Sequence, residues 1–256
     1  MANSFEDIRK TLLEEGADLV GFADVTAVAA EERRGMPRAI SIAAALQPAI
    51  VSRIAKGPTQ EYFREYGRAN SLLSSLAHRA AGLLKERGFA AIALEPTTEE
   101  FDAVRLRAGL SHKIAATRSG LGWIGKNALV ITKPFGSAVR FTTVLADAPL
   151  ETGTPLDESR CGTCTACVDV CPAKAPSGKN WRLGTGRDEF FDAHACCRKA
   201  TEFCKAAGID STICGICIEA CPWTRKYLKR ASRRKGITKN PLFAPLLRSA
   251  GRPGNE

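Results

Sequence analysis

Seven of the ten cysteines lie in two short runs, and no cysteine precedes Cys161. The first run reads Cys161-Gly-Thr-Cys164-Thr-Ala-Cys167-Val-Asp-Val-Cys171-Pro172, and the second reads Cys214-Gly-Ile-Cys217-Ile-Glu-Ala-Cys221-Pro222. Cysteines crowded into one segment of a long chain do not suit a disulfide framework, which spreads its bridges over a small secreted domain. Thiolate sulfur is a soft ligand that selects zinc or iron–sulfur clusters. The sequence therefore predicts a metal centre in this segment.

The spacing within the runs favours two 4Fe–4S clusters. The first run has the C-x2-C-x2-C-x3-C-P spacing of bacterial ferredoxins, in which three thiolates hold one cluster and the fourth reaches its neighbour. Zinc also uses C-x2-C pairs, but a four-ligand zinc site does not explain the C-x3-C-P that ends both runs. We predict one cluster on Cys161, Cys164, Cys167 and Cys221, and a second on Cys171, Cys214, Cys217 and one further thiolate.

The eighth thiolate must come from between the two runs, where Cys196, Cys197 and Cys204 are the candidates. Cys204 falls in a stretch, 200–207, whose residues favour a continuing helix, so Cys196 or Cys197 is the expected ligand. The two cysteines that remain are predicted to be buried thiols, because a free cysteine packs as a small apolar residue.

The rest of the chain predicts an α+β fold in three parts. A segment rich in proline and glycine at 149–158 reads as a linker, so we predict an α+β domain over 1–150, a small cluster domain over 151–224 and a basic tail over 225–256. Apolar periodicity predicts helices and strands in the first part. The helices are Ser4 to Gly16 and Thr59 to Arg87; the strands are 17–25, 38–46 and 89–94, with a hairpin of 128–132 and 139–146.

The charge of the chain is strongly positive and unevenly distributed. The formal net charge is +10, and the stretch Arg225 to Lys239 holds eight lysines or arginines and no acid. Such a segment favours an acidic partner, either an electron donor, another protein surface or RNA. RNA is the less favoured partner, because Tyr227 is not joined by an aromatic series for stacking bases. A solvated tail is the alternative interpretation.

The chain carries no apolar stretch near the length of a membrane span. Its start, Met1-Ala-Asn-Ser-Phe-Glu-Asp, lacks the apolar core of a secretory signal. We therefore expect a cytoplasmic protein without a membrane partner.

A glycine-rich motif, Ser119-Gly-Leu-Gly-Trp-Ile-Gly-Lys-Asn127, is the second informative element. Its glycines match a dinucleotide fingerprint and, up to Lys126, a P-loop, but both need a strand before the motif and a helix after it. Here a predicted helix precedes the motif and a strand follows, and Asn127 replaces the P-loop hydroxyl. We predict a tight turn whose missing side chains let a large group approach the backbone. The alternative is a plain helix-to-strand turn with Trp123 in the core.

Taken together, these motifs resemble the epoxyqueuosine reductases and a shorter set of related double-cluster proteins. The resemblance rests on the glycine motif, Phe135-Gly-Ser137 and both cysteine runs as far as Trp223. It implies a nitroreductase-like α+β domain that holds base-off cobalamin, and a ferredoxin-like domain that feeds electrons to the cobalt, as in reductive dehalogenases. It also implies that Cys196, in Phe191 to Cys196, is the eighth ligand. The corrinoid contacts it implies are Gly120, Gly122, Trp123, Gly125, Lys126, Asn127 and Ser137.

The chain also departs from that family. Epoxyqueuosine reductases carry an acid in an Asp-Thr-Ala-Pro stretch, and counting back without gaps places it on Leu106. The sequence also shows no helical-repeat region after the clusters to hold a tRNA. We predict His112 as a replacement proton donor, because histidine is the natural acid near neutral pH. Lys126, Tyr62 and Tyr66 are its rivals.

The sequence thus predicts a reductase in which two 4Fe–4S clusters pass electrons to a bound corrinoid that reduces a small substrate. The expected electron donor is a low-potential protein of the ferredoxin or flavodoxin type. One alternative is an electron-transfer protein that reactivates a corrinoid on a partner protein. The other is a tRNA epoxyqueuosine reductase.

Overall fold

The structure is a computed structural model that describes residues 5–97, 101, 102, 104 and 106–238. Within these residues the helices are α1 (Glu6–Glu14), α2 (Pro48–Val51), α3 (Gln60–Lys85), α4 (His112–Arg118), α5 (Ala166–Asp169), α6 (Ala193–Ala206), α7 (Ile216–Ala220) and α8 (Pro222–Thr238). The strands are β1 (Leu19–Asp24), β2 (Arg38–Ala45), β3 (Ala91–Leu94), β4 (Phe101–Asp102), β5 (Arg107–Ala108), β6 (Gly122–Ile124), β7 (Val130–Thr132) and β8 (Val139–Ala146). The mixture confirms the predicted α+β class.

A four-stranded antiparallel sheet of order β1-β2-β8-β3 forms the middle layer. Successive side chains of a strand point to opposite faces, and both faces are buried. Ile40 and Ile42 pack with Leu73 of α3 on one face, whereas Ala43 packs with Ala116 of α4 on the other. The sheet is therefore enclosed by α1 and α3 on one side and by α4 on the other.

Helix α3 is the long helix that the sequence predicts, and it supports the sheet along most of its length. The Thr59 hydroxyl caps it by accepting a hydrogen bond from the Tyr62 amide at 3.1 Å. Leu73, Leu76 and Leu84 are buried on one face, as the helical period requires. Local capping and periodicity were sufficient to predict this element.

The predicted hairpin of 128–132 with 139–146 is wrong. Strand β7 pairs instead with β6, which lies inside the glycine motif, and β8 lies between β2 and β3. The reason is burial: β8 is covered on both faces along almost its whole length, which requires a central place in the main sheet. The short β7 ends at a tight turn in which Thr132 and Gly136 exchange backbone hydrogen bonds of 2.9 Å.

The cluster segment packs directly on the α+β part of the chain. Cys204, Ile209 and Ile213 belong to the same buried core as Leu73 of α3. The predicted linker has no helix or strand, but it is hydrogen-bonded to the α+β part of the chain. The Leu156 amide donates to the Thr117 carbonyl at 3.0 Å. The division of the chain at 150 and 224 stays a prediction, and its second boundary falls inside α8.

Part of the predicted basic tail is helical, because α8 continues to Thr238. The Tyr227 hydroxyl donates to the Leu46 carbonyl at 3.0 Å, and its ring meets Phe135 edge-on at 5.2 Å. The rest of the predicted tail, 239–256, and the predicted cap Ser4 lie outside the described residues. In the part of the chain that the structure describes, no helix is both long and apolar enough to cross a membrane.

We expect Gly215→Ala to destabilise the junction between the second cysteine run and the core. Gly215 has φ +91°, and an added Cβ would lie 2.5 Å from Ile54 Cδ1 and 3.3 Å from Tyr62 Cε1. Overpacking together with a left-handed backbone should cost about 1–3 kcal/mol. Anaerobic thermal unfolding measures the effect. Gly82→Ala is the control, because its Cβ meets open space inside α3, and an equal melting temperature for the two variants would contradict this account.

Candidate functional site

One group of four thiols forms where the two cysteine runs meet. Helices α5 and α7 pack together and carry Cys167 and Cys217. Burial raises the pKa of Cys167 to about 11, and the adjoining thiols that contribute are Cys161, Cys221 and Cys164. These four residues, here called the first set, are the four that the sequence assigns to one cluster. The last cysteine of the second run therefore joins the first run.

The other ligands adjoin one another in the same way. Burial raises the pKa of Cys196 to about 11, and its thiol neighbours include Cys214 and Cys171. The pKa of Cys217 is also raised by burial, with Cys214, Cys196, Cys167 and Cys171 nearby. The second set is thus Cys171, Cys196, Cys214 and Cys217. Because Cys167 adjoins Cys217, the two sets are neighbours.

The candidates for the eighth ligand differ in their surroundings. Cys196 adjoins three thiols, Cys214, Cys171 and Cys197, which suits the ligand role that the resemblance implies. Cys204 is 1% exposed in the apolar core, and its Sγ lies 3.1 Å from the Ile213 carbonyl. In the described part of the chain, no three His, Cys, Asp or Glu side chains are grouped so as to hold a single metal ion. A four-iron cluster is wider than a single ion, so its thiolate ligands lie further apart than the ligands of one metal ion.

The glycine motif is packed by the chain itself. A Cβ on Gly122 would lie 2.5 Å from the Ile131 carbonyl oxygen, and one on Gly120 would lie 2.7 Å from that of Thr154. A Cβ on Gly125 would lie 2.8 Å from Ile131 Cδ1. The missing side chains therefore make room for β7 and for the segment 149–158, which the sequence predicts as a linker. They do not leave the backbone open to a large bound group. The corrinoid contacts predicted at these glycines stay a prediction that this packing does not support.

Trp123 and Lys126 of the motif line the first thiol set. Trp123 is 1% exposed and packs with Cys161, Cys221 and, at 5.2 Å between ring centroids, Trp223. Lys126 is buried, and its Nζ donates to the Cys164 carbonyl at 2.9 Å. Neither side chain is placed as an open corrinoid or proton-transfer contact. Trp223 was missed as a site residue, although it stands directly after the second Cys-Pro.

Ser137 and Asn127, the other predicted corrinoid residues, are also buried. The Ser137 amide donates to Thr224 Oγ1 at 3.1 Å, and the missing side chain of Gly136 at φ +61° lets Thr224 approach. These contacts attach the start of α8 to the α+β part.

Asn127 Nδ2 and Trp123 Nε1 are buried donors without a hydrogen-bond partner in the described part of the chain. Buried donors are normally satisfied, and cluster sulfurs accept such bonds. Trp123 lies in the same apolar cluster as the predicted ligand Cys221, with Cys161 packed against it, so its free N–H fits a neighbouring iron–sulfur cluster.

A polar group that the sequence did not predict lies beside the second set. It consists of Tyr62, Tyr66, Asn70, Thr97, His112 and Arg140. The Arg140 guanidinium lies 4.2 Å over the Tyr66 ring and donates to Asn70 Oδ1 at 3.1 Å. Another nitrogen of the same guanidinium, Nη2, donates to the Pro96 carbonyl at 3.2 Å and to Thr97 Oγ1 at 3.3 Å. Tyr62 is buried, which raises its pKa, and it adjoins Arg140, Cys217 and Cys214.

His112 is held in the neutral form inside this group. Its Nε2 lies 2.9 Å from the Glu95 carbonyl and its Nδ1 lies 2.9 Å from Thr143 Oγ1. A carbonyl only accepts, so Nε2 carries the proton and Nδ1 accepts from the hydroxyl. Burial lowers the pKa of His112 to about 4. A neutral imidazole with both nitrogens bonded braces β8 against the 95–97 segment, and these contacts do not support the predicted role of proton donor.

Comparison with known proteins relates the chain to iron–sulfur reductases. Residues 160–224 match the family model of the 4Fe-4S double cluster binding domain. The epoxyqueuosine reductase of Cyclobacterium marinum is 35% identical over 119 residues, which are 43% of this chain and 36% of that protein. The epoxyqueuosine reductase of Aliivibrio fischeri is 30% identical over 185 residues, 67% of this chain and 44% of that protein. The chain thus spans less than half the length of these relatives.

Solved structures share the fold. A reductive dehalogenase, whose structure "suggests a mechanism for B12-dependent dehalogenation", aligns with a TM-score of 0.68 at 16% identity, over 93% of this chain and 34% of its own. An epoxyqueuosine reductase aligns with a TM-score of 0.60 at 21% identity, over 86% of this chain and 65% of its own. The resemblance in the motifs is therefore confirmed: the chain is related to epoxyqueuosine reductases and carries a double-cluster domain.

We expect about eight irons and eight inorganic sulfides per chain after anaerobic reconstitution, because each set of four thiols suits one cluster. Cys196→Ala should lose about half of the iron, whereas the same change at the neighbouring Cys197 should leave the iron content unchanged. Iron and sulfide analysis with EPR spectroscopy measures both. If only Cys197→Ala loses iron, the eighth ligand is Cys197 and not Cys196. A wild-type protein that binds one zinc would contradict the two-cluster assignment.

The neutral His112 predicts a stability that depends on pH. The pKa of His112 falls from its ordinary 6.5 to about 4 in the folded chain, so between these values the unfolded chain binds more protons. Its stabilising contribution is complete above pH 6.5 and declines as pH falls towards 4, by at most about 3 kcal/mol. His112→Gln should flatten this part of the pH profile of unfolding. The same change at the exposed His78 should not, and equal slopes in all three proteins would refute the assignment.

Proposed function

We propose that this chain is an iron–sulfur reductase in which two 4Fe–4S clusters deliver electrons to a reaction site on its α+β part. The supporting observation is the crossed arrangement of the thiols, which brings the second set next to Tyr62 and the polar group. The names of the related enzymes also support a reductase. We further propose that it works in the cytoplasm, since thiolate ligands persist in reducing compartments.

The two sets differ in what surrounds them, and this suggests an order of transfer. The first set adjoins Trp123, Trp223 and the cationic start of α8. The second set adjoins Tyr62, whose other charged or titratable neighbours include Tyr66 and Arg140. Electrons that enter at the first set therefore pass to the second, and the neighbours Cys167 and Cys217 mark where the sets meet.

The polar group supplies what a reduction site needs from the protein. The Arg140 guanidinium lies over the Tyr66 ring and donates to Asn70 Oδ1 and the Pro96 carbonyl, which are neutral groups, so its positive charge would stabilise negative charge that develops beside it. Tyr66 is half-buried, and among the described residues its hydroxyl makes one long contact, of 3.4 Å, with Thr97 Oγ1. Tyr66 replaces His112 as the proposed proton donor, because its O–H is not committed to a backbone acceptor.

We also propose a corrinoid as the group that receives the electrons. The support is the likeness to a reductive dehalogenase described in terms of a B12-dependent mechanism, together with the nitroreductase-like fold that the resemblance implies. The packed glycine motif does not offer the predicted contact surface. Corrinoid contacts are therefore to be sought on the exposed side of the polar group.

The names of the relatives favour epoxyqueuosine in tRNA as the first substrate to test, ahead of an unspecified small molecule. The position that the resemblance assigns to their acid is Leu106, which has φ +49° and whose carbonyl accepts from Arg187 at 2.7 Å. Turnover of this substrate thus requires another acid, and Tyr66 is the first candidate. An electron-transfer protein that acts on the corrinoid of a partner remains the other alternative.

The test uses anaerobically reconstituted protein, with and without cobalamin, reduced by titanium(III) citrate. We expect uptake of cobalamin, seen in the visible spectrum, and conversion of epoxyqueuosine in tRNA, followed by mass spectrometry. Tyr66→Phe should lower turnover at least tenfold while its iron content stays intact. Tyr227→Phe, the matched control, loses only the bond to Leu46 and should keep its activity. Absence of cobalamin uptake would reject the corrinoid, and uptake without turnover would favour the electron-transfer alternative.

A further inference from the structure

Helix α8 presents an acid-free row of cations to solvent. Lys226, Lys229, Arg230 and Arg233 are exposed and have no carboxylate partner among the described residues. Arg225 pairs with Glu219 at 3.2 Å, but no acid follows before the helix ends. A solvated helix normally mixes both signs of charge, so a one-sided row suits an acidic partner.

A series of ring contacts joins this row to the first thiol set. Lys226 Nζ lies 4.5 Å over the Trp223 ring, and the Trp223 and Trp123 rings meet at 5.2 Å. Trp123 belongs to the same buried cluster as Cys221, and Trp223 and Cys161 pack against that cluster. On the other side, the exposed Arg160 guanidinium lies 5.9 Å from the centroid of Trp123. Cations therefore border the first set from two different segments of the chain.

We propose that these five cations form a docking rim for an acidic, low-potential electron-donor protein, defined by Arg160, Lys226, Lys229, Arg230 and Arg233. This inference rests on the proposed electron-carrying function of the clusters. Each transfer oxidises the redox centre of the donor by one electron and reduces the first cluster by one, with no bond or proton exchanged. The rim brings the donor to the half-exposed loop that holds Cys161 and Cys164.

The contacts favour a protein over RNA as the occupant. Single-strand binding uses aromatic faces that are open for base stacking. Trp223 is half-buried under Lys226, and the Tyr227 ring is engaged by Phe135. Transient redox encounters bury little surface and depend on complementary charge, which raises the association rate. A cationic rim around the loop of Cys161 and Cys164 provides the positive charge that complements an acidic donor.

The test measures the rate at which reduced flavodoxin, an acidic protein, reduces the clusters of the holoprotein in anaerobic stopped flow. Lys226→Glu/Lys229→Glu should slow this reaction at least tenfold at low salt and weaken its salt dependence, because surface charges are screened by salt. The control, Lys10→Glu/Lys85→Glu, changes the net charge equally at two exposed positions on α1 and α3 and should stay close to wild type.

Reduced methyl viologen separates docking from cluster function, since a small cation needs no rim. It should reduce all three proteins at similar rates. If it fails with the wild type, the proposed electron-carrying function fails. If it succeeds while the rim variant keeps the wild-type flavodoxin rate, only the docking proposal is overturned. Loss of binding to a tRNA stem-loop in the rim variant, with an unchanged flavodoxin rate, would assign the rim to RNA instead.

Discussion

The exchange of one cysteine between the two runs is the constraint on which the rest of the structure depends. Cys221 adjoins the thiols of the first run, and Cys171 adjoins those of the second. Neither group of four is complete unless 161–171 and 214–221 lie side by side, so the intervening chain must lead back to the first run, and it packs into the α+β core on the way. Helix α6 lies in this connecting segment and brings Cys196 to the second set.

The same arrangement explains why the surroundings of the two neighbouring thiol sets differ in chemistry. The first set is surrounded by indoles and solvent-facing cations, whereas the second is next to buried Tyr62 and the Arg140 charge. Because the potential of a cluster responds to charge, hydrogen bonds and exposure, these surroundings make the two clusters unequal. In the proposed reductase, inequality of this kind would give electron flow a direction.

Sequence alone was enough wherever the signal is local. The cap and periodicity of α3 depend on residues that are close in the chain. The spacing of the cysteine runs is equally local, and the ligand assignment drawn from it stays a prediction. Pairing of β7 was predicted wrongly because strand partners are set by burial in the whole sheet. Tyr66 and Arg140 were not recognised as a pair, since they come from α3 and β8 and meet only after folding. Residue type alone predicts His112 as a proton donor, and that role stays a prediction; its burial and both of its hydrogen bonds depend on elements that are distant in the sequence.

The shared core has a consequence for how the chain survives in a cell. Cys204, Ile209 and Ile213 complete the core that α3 builds, and they lie between the predicted ligand Cys196 and the second run. Binding of a metal centre contributes directly to folding where the ligands are not preformed. Iron starvation or oxidative loss of a cluster would therefore destabilise the main sheet as well as the segments that carry the cluster cysteines. Proteases act on chains that open in this way, so we expect the cellular amount of this protein to follow the supply of iron and sulfide.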